Sequence, residues 1–442
     1  MTPDGLSWHL HMHFEQYIAN RIGERTQGSF SDRIMKIAIA AIALSVMVMI
    51  MTTTIITGFK NQISEKVFDF WGHIHVTDGL SGDSFELIPL DADPALVDTI
   101  KKLTSVTYAR PSDVDDYGAQ VPIMTSKGGV THVESYIQVP SIVADKSQFE
   151  GLLMKGVSTD FDVRRIQKFM KEGAFIDLKS DTPSRDVVVS QRTAQRMGYQ
   201  IGQKVNVNFM LDEEPRKRQF EISGIYNTGL DEYDRRYALV DARVLQELLD
   251  WNTTQVSGLE IFVEDLDDVE LINDFIYFEL LPPRAYSETV RNKFGQIFHW
   301  LELTHINENV IIILMTLVAI INMITALIIF VLERTRMIGV LKSLGATNWS
   351  VRKIFIISAT RIIVKGVIIG NILAIVLCLI QKHTGLVKLR ESDYYLSQVP
   401  IEFNLWSILL INLGTILIVA LFMLIPSMII SQITPIRTLQ FK

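Results

Sequence analysis

Residues Ile37–Phe59 read IAIAAIALSVMVMIMTTTIITGF, 23 residues without a charge. Asn309–Leu332 read NVIIILMTLVAIINMITALIIFVL, 24 residues and again no charge. About 20 apolar residues in a helix span the roughly 30 Å hydrocarbon core of a bilayer. A soluble helix this long keeps a polar face, and neither stretch has one, so both predict transmembrane helices. Two further spans follow. Residues 354–381 have a charge-free core from Gly366 to Gln381, preceded by Arg361 and Lys365 one turn apart, placed to snorkel to the headgroups. Leu405–Ile425 ends at Pro426 and holds Asn412 and Gly414, which neighbouring helices can accommodate. Composition agrees: the 442 residues are 48% hydrophobic and 21% charged, with a mean hydropathy of +0.24.

Lys and Arg beside the spans set the orientation. Arg21, Arg25, Arg33 and Lys36 precede the first span. Arg334, Arg336, Lys342, Arg352 and Lys353 fill the second connection, against Glu333, and Arg437 and Lys442 lie in the tail. With four crossings all three segments fall on one side, predicted cytoplasmic. Residues 60–308 fall outside and hold 41 acidic against 26 basic residues. The expected fold is an α-helical membrane protein with four transmembrane helices, both termini inside, and a large α+β extracytoplasmic domain between helices 1 and 2. The expected division is 1–36 leader, 37–59 helix 1, 60–308 outer domain with helical stalks, 309–332 helix 2 and 333–353 inner loop. Then come 354–381 helix 3, 382–404 external loop, 405–425 helix 4 and 426–442 tail. In the leader, Phe14, Ile18 and Ile22 share one helical face with Arg21 and Arg25 beside it, as an interfacial helix would. The first span lacks a small-residue cleavage site, as a retained signal anchor does.

Within the outer domain, Gly72–Asp78, Tyr117–Thr125, Val130–Val139, Lys204–Leu211, Gln219–Tyr226 and Val256–Glu264 read as strands. Thr159–Lys171, Gln191–Gly198, Asp241–Trp251 and Asp267–Leu280 read as helices, giving one α+β domain or two joined near residue 150. From about Glu288 the pattern turns helical and runs into helix 2, while helix 1 continues outward through Asn61–Phe70.

Catalytic constellations are absent from the sequence. There is no GxxxxGK[ST], G-x-S-x-G, H-E-x-x-H or EF-hand loop. The single Cys378 excludes an intrachain disulfide framework and a cysteine zinc cluster, and a net charge of −7 argues against a nucleic-acid surface. His9, His11 and His13 belong to the leader, and His73 and His75 share one face of a strand without a third metal ligand nearby. The informative segment is ERTRMIGVLKSLGATNWSVRKIF, Glu333–Phe355. Met337, Ile338, Leu341 and Leu344 line one face of a short helix. Gly345 suits its left-handed C-terminal position, and Thr347 or Asn348 can cap the next helix. A short apolar-faced helix with basic flanks suits a groove in a partner protein or the membrane surface.

That segment resembles the FtsX-like permease domain of ABC transporters, whose pattern is roughly E-R-x-x-E-I-G-x-L-K-A-L-G-A; Met337 and Ser343 depart from it. The start through GHIHV (72–76) and the tail ITPIRTL (433–439) also fit. MKGVSTDF (154–161), VVVSQRTAQRMGYQIGQKVNVNF (187–209) and RQFEISGIYNTGLDEYD (218–234) look like the lipoprotein-releasing LolC/LolE branch. The resemblance implies a MacB-like periplasmic core and a non-catalytic permease in a bacterial inner membrane. It implies a LolD-like ABC ATPase as a separate chain holding ATP and Mg, no cofactor on this chain, and a second permease subunit, either another copy or a different chain. Lipoprotein extracted from membrane lipids would pass to a periplasmic carrier by mechanotransmission. The alternative is a mechanotransmitting complex of FtsX or MacB type acting on an extracytoplasmic partner or another substrate.

Residue by residue, the resemblance makes Arg334, Met337, Ile338, Leu341, Lys342, Leu344 and Gly345 a coupling helix gripped by the ATPase. It implies an acyl-chain site between helices 1 and 2, for which Met47, Met49, Met51, Ile55, Met315, Ala319 and Met323 are suited. The hook loop of the carrier-recruiting permease corresponds to the short stretch MLDEEPRKR, Met210–Arg218, with Asp212, Glu213, Glu214, Pro215 and Arg216 at its centre.

Overall fold

The computed structural model describes residues 30–81, 87–109, 123–145, 148–211 and 214–428. The expected leader helix before Phe30 and the tail residues Arg437 and Lys442 lie outside them. The chain divides into a helical unit and an α+β unit comprising Gln62–His299 and Leu389–Ser397.

The helical unit is built on α1 (Phe30–Trp71), α2 (Gly295–Glu333), α3 (Thr335–Ser343), α4 (Asn348–Thr384) and α5 (Leu405–Phe422). Four stretches are long and apolar enough to cross a membrane: Arg33–Trp71, Gly295–Glu333, Asn348–Thr384 and Leu405–Ser427. The 42 residues of α1 and 39 of α2 make helices of roughly 60 Å at 1.5 Å per residue, about twice a bilayer core. Ile42, Val46, Met49 and Ile50 of α1 share a buried cluster with Ala319, Met323 and Leu327 of α2 and with Phe355 and Ile363 of α4. Small residues set the approach of α4 to α1. A Cβ on Gly366 would lie 2.8 Å from Ile42 Cβ, and one on Gly370 would lie 2.6 Å from the Ala43 carbonyl oxygen. Between α4 and α5, Asn371 Nδ2 donates to Asn412 Oδ1 at 2.8 Å and Asn412 Nδ2 returns a bond at 3.0 Å. The reciprocal pair satisfies two amides that hydrocarbon would leave unpartnered.

In the α+β unit one mixed sheet holds β1 (Ile74–Asp78), β2 (Val130–Asp145), β3 (Gln148–Val157), β4 (Met170–Gly173), β5 (Asp186–Ser190), β6 (Lys204–Leu211), β7 (Glu214–Tyr226), β8 (Tyr237–Asp241), β9 (Gly258–Val263) and β10 (Ala285–Thr289). Their order is β10-β1-β9-β2-β3-β8-β5-β7-β4, with β6 paired to both β7 and β2. That double pairing closes β2, β3, β8, β5, β7 and β6 into a ring, so these strands share no open edge with one another. Pairs β3–β8 and β5–β7 are parallel and the others antiparallel. Val139, Leu152, Val187, Val207, Phe220 and Val240 belong to the apolar core of this unit.

The strands β2 and β3 form one hairpin across residue 150, so a division into two domains there does not occur. The expected helix Thr159–Lys171 shrinks to Val163–Gln167, because Met170–Gly173 is drawn into the sheet against β7. The helical pattern expected from Glu288 begins only at Val290. Before it, β10 buries Ala285, Ser287 and Thr289 in strand alternation, and Thr289 caps a short helix, Val290–Lys293. Most of the expected strand Tyr117–Thr125 lies outside the described residues; Met124–Thr125 is a strand.

Candidate functional site

The short α3 follows α2 after one residue, Arg334. Gly345 closes it at φ +95°, where a side chain would be strained, and Thr347 accepts from the Ser350 amide at 3.2 Å to start α4. The expected apolar face is divided by packing. Ile338 is fully buried and shares a cluster with Val351, Ile354 and Phe355, and Met337 and Leu341 pack half-buried against it. Arg334 and Lys342 are also half-buried. Outward stand Leu344, 80% exposed, with Val340, Gly345 and Trp349. Trp349 and Val340, not singled out from the sequence, are exposed apolar side chains on either side of the Gly345 turn. Their signal was the spacing of nine residues across the Gly345 turn, which needs the turn geometry to interpret.

Between α1 and α2, Ala319 and Met323 are closed into the packed cluster, and Thr316 Oγ1 meets Met49 Sδ at 3.6 Å. Met47, Met51, Ile55 and Met315 are half-buried along the margin. Asp212 and Glu213 lie outside the described residues. Beside them β6 and β7 are paired as far as Leu211 and Glu214, so Pro215 and Arg216 belong to a strand. Arg216 is engaged on its own domain, donating to the Leu248 carbonyl and to Asp250 Oδ2 at 2.9 Å. Close by, Met210, Ile142 and Phe149 are exposed, Phe149 to 77%.

His75 is buried and His73 half-buried where α1 meets the sheet. Val263 N–H donates to His73 Nδ1 at 2.8 Å, which requires a neutral ring. Burial, helped by the Arg165 and Arg291 cations, pushes His73 down to about 4, and burial pushes His75 well below the usual imidazole range. The unfolded chain therefore takes up these protons first. Stability contributed by His73 is complete above pH 6.5 and is lost as pH falls towards 4. Between pH 7 and pH 5 this amounts to about 2 kcal/mol. Thermal melts of the detergent-solubilised chain should drop over that interval, and His73→Gln should lessen the dependence while His75 keeps its own share; a pH-independent wild type would contradict the burial argument. Among the described residues no group of three or more His, Cys, Asp or Glu is placed to hold a metal ion.

Comparison with known proteins matches both units. Residues 37–276 match the MacB-like periplasmic core domain and residues 309–435 the FtsX-like permease C-terminal family. The lipoprotein-releasing system transmembrane protein LolC of Xylella fastidiosa is 19% identical over 434 residues, covering 95% of this chain and 96% of its own. LolC of Neisseria meningitidis is 22% identical over 450 residues, covering 95% and 96%. The LolE protein of Haemophilus influenzae is 21% identical over 427 residues, covering 92% and 94%. With four apolar helices, a mixed-sheet domain between the first two and a match to the MacB-like periplasmic core over more than half its length, this chain is a membrane protein with a MacB-like periplasmic core domain and an FtsX-like permease C-terminal region.

Proposed function

We propose that the chain is the permease subunit of an ABC transporter that extracts lipoproteins from a bacterial inner membrane and releases them to a periplasmic carrier. The supporting observation is likeness to LolC and LolE proteins over more than nine-tenths of the chain. Four spans with both termini inside put the α+β unit in the periplasm and α3 in the cytoplasm, in line with the basic residues around α3. The permease itself carries out no covalent chemistry. A separate LolD-like ATPase holds ATP and Mg and grips α3. A second permease, the same chain or a different one, completes the complex.

Val340, Leu344 and Trp349 form the apolar part of the ATPase contact, flanked by Arg336, while Ile338 and Leu341 fasten α3 to its own bundle. Movement of α3 then passes through α1 and α2 to the periplasmic unit. Lipid acyl chains enter along Met47, Met51, Ile55 and Met315. Removing them from the bilayer costs ~0.8 kcal/mol per CH₂, which is why the step needs ATP.

Co-expression with the ATPase and reconstitution into proteoliposomes carrying an acylated lipoprotein tests this. ATP should transfer lipoprotein to the soluble fraction when carrier is present. Leu344→Asp should cut ATPase co-purification by at least tenfold, because it places a charge in a desolvated contact. A complex that hydrolyses ATP, retains lipoprotein and instead binds a soluble cell-wall enzyme would favour the regulatory alternative.

A further inference from the structure

A helix end leaves its last carbonyls without helical partners. At the end of α1 those carbonyls meet buried charges. Lys155 Nζ, on β3, donates to the Phe70 carbonyl at 2.8 Å and to Glu260 Oε1, on β9, at 2.7 Å. His75, on β1, is hydrogen-bonded through Nε2 to the Trp71 carbonyl at 2.6 Å. The Lys155 and Glu260 side chains are 1% and 2% exposed. The ammonium also lies over aromatic faces, 4.4 Å from the Trp71 ring centre and 5.0 Å from that of Phe70.

The chain leading into α2 reaches the same place. Lys293 Nζ lies 3.2 Å from His75 Nδ1, the acceptor left when Nε2 donates, and 3.3 Å from Glu288. Phe294 packs on Trp71 with ring centres 5.7 Å apart and edge-on to Tyr233 at 5.2 Å. Glu260 and His75 are register partners on adjacent strands, so the sheet itself spaces the charges.

Stability alone gives no reason for this arrangement. A buried ion pair bears a desolvation cost, and apolar residues of similar volume commonly match or exceed its stability. A hydrogen-bonded ion pair does what an apolar contact does not: it fixes the rotation and axial position of the helix end, whereas apolar surfaces can slide over one another. We propose that the Lys155–Glu260–His75 cluster is the joint through which α1 and the chain entering α2 move the periplasmic sheet, with Lys155 and Glu260 as positioning residues for the last turn of α1. The proposal rests on the release reading for the direction of the work transmitted.

The test uses the full complex with its ATPase in proteoliposomes, with lipoprotein release and ATP hydrolysis measured together. Lys155→Met combined with Glu260→Leu removes both charges at once. The double variant should fold and hydrolyse ATP at near wild-type rates, while lipoprotein released per ATP falls at least tenfold. Lys293→Met leaves the pair intact and frees only the second root; it should lower the same ratio about threefold, and it decides the matter if the double variant does not fold. An unchanged ratio in a folded variant overturns the proposal. Should the wild-type complex release no lipoprotein, the release reading fails, and hydrogen exchange still reads the joint. ATP with vanadate should change amide protection in β1 and β9 of the wild type but not of the double variant, or of Lys293→Met should the double not fold; equal changes overturn it.

Discussion

Gly370→Leu is expected to prevent stable assembly of the helical unit. A Cβ at this position would meet the Ala43 carbonyl oxygen at 2.6 Å and Val46 Cβ at 2.9 Å. The first obstacle is backbone of α1, which cannot swing aside as a side-chain tip can. Leucine therefore levers α4 away from α1 and disturbs the contacts of Ile363, Val367 and Ala374 in the common cluster. Leucine is the better helix former by about 1 kcal/mol. Overpacking costs about 1–3 kcal/mol and more where backbone must move. The clash wins, and the net loss is about 2 kcal/mol or more. Size-exclusion chromatography in mild detergent should show the monodisperse fraction falling at least tenfold. Gly414→Ala is the control, since a Cβ there meets nothing within 4 Å. A wild-type profile for Gly370→Leu would mean that α1 and α4 are not in contact at this level.

Glu260→Leu, made alone, should destabilise the α+β unit by about 3–5 kcal/mol, the usual result of leaving one member of a buried ion pair uncompensated. Burial pushes the Glu260 carboxyl up and the Lys155 ammonium down, while each draws the other back towards its charged form. Removing the carboxylate leaves Lys155 with the Phe70 carbonyl and the aromatic faces only. For a domain of this size the melting temperature should fall by roughly 10 °C. Adding Lys155→Met should restore most of that loss, a non-additivity characteristic of directly paired groups. A fall of only a degree or two for the single variant would show that Lys155 sheds its proton or reaches water.

The membrane helices were legible because a run without charges is a local property. The same holds for Gly345 and Thr347, whose turn and cap need only their neighbours. Periodicity in α3 revealed an apolar face but not what it faces: Ile338 turns into the bundle while Leu344 turns out, and the difference depends on the approach of α4. Within the sheet, Lys204–Leu211 alternates cleanly and was found. Asp186–Ser190 and Tyr237–Asp241 were missed, since strands covered on both faces lack that alternation; Gln148–Val157 was missed as well, because only its first half alternates and its second half is buried throughout. Thr159–Lys171 looked helical along its length, and only pairing with β7 explains why Met170 leaves the helix. The Lys155–Glu260 pair was out of reach altogether: its members stand 105 residues apart, and the strand register that joins them is a property of the closed sheet.

Ile74 and Thr289, where the chain enters and leaves the sheet, are register partners on adjacent strands. Everything between them is thus a cassette whose two ends lie side by side, about 5 Å apart as in any such pair. Another cassette ending in the same antiparallel pair could be grafted between the two long helices without altering their spacing.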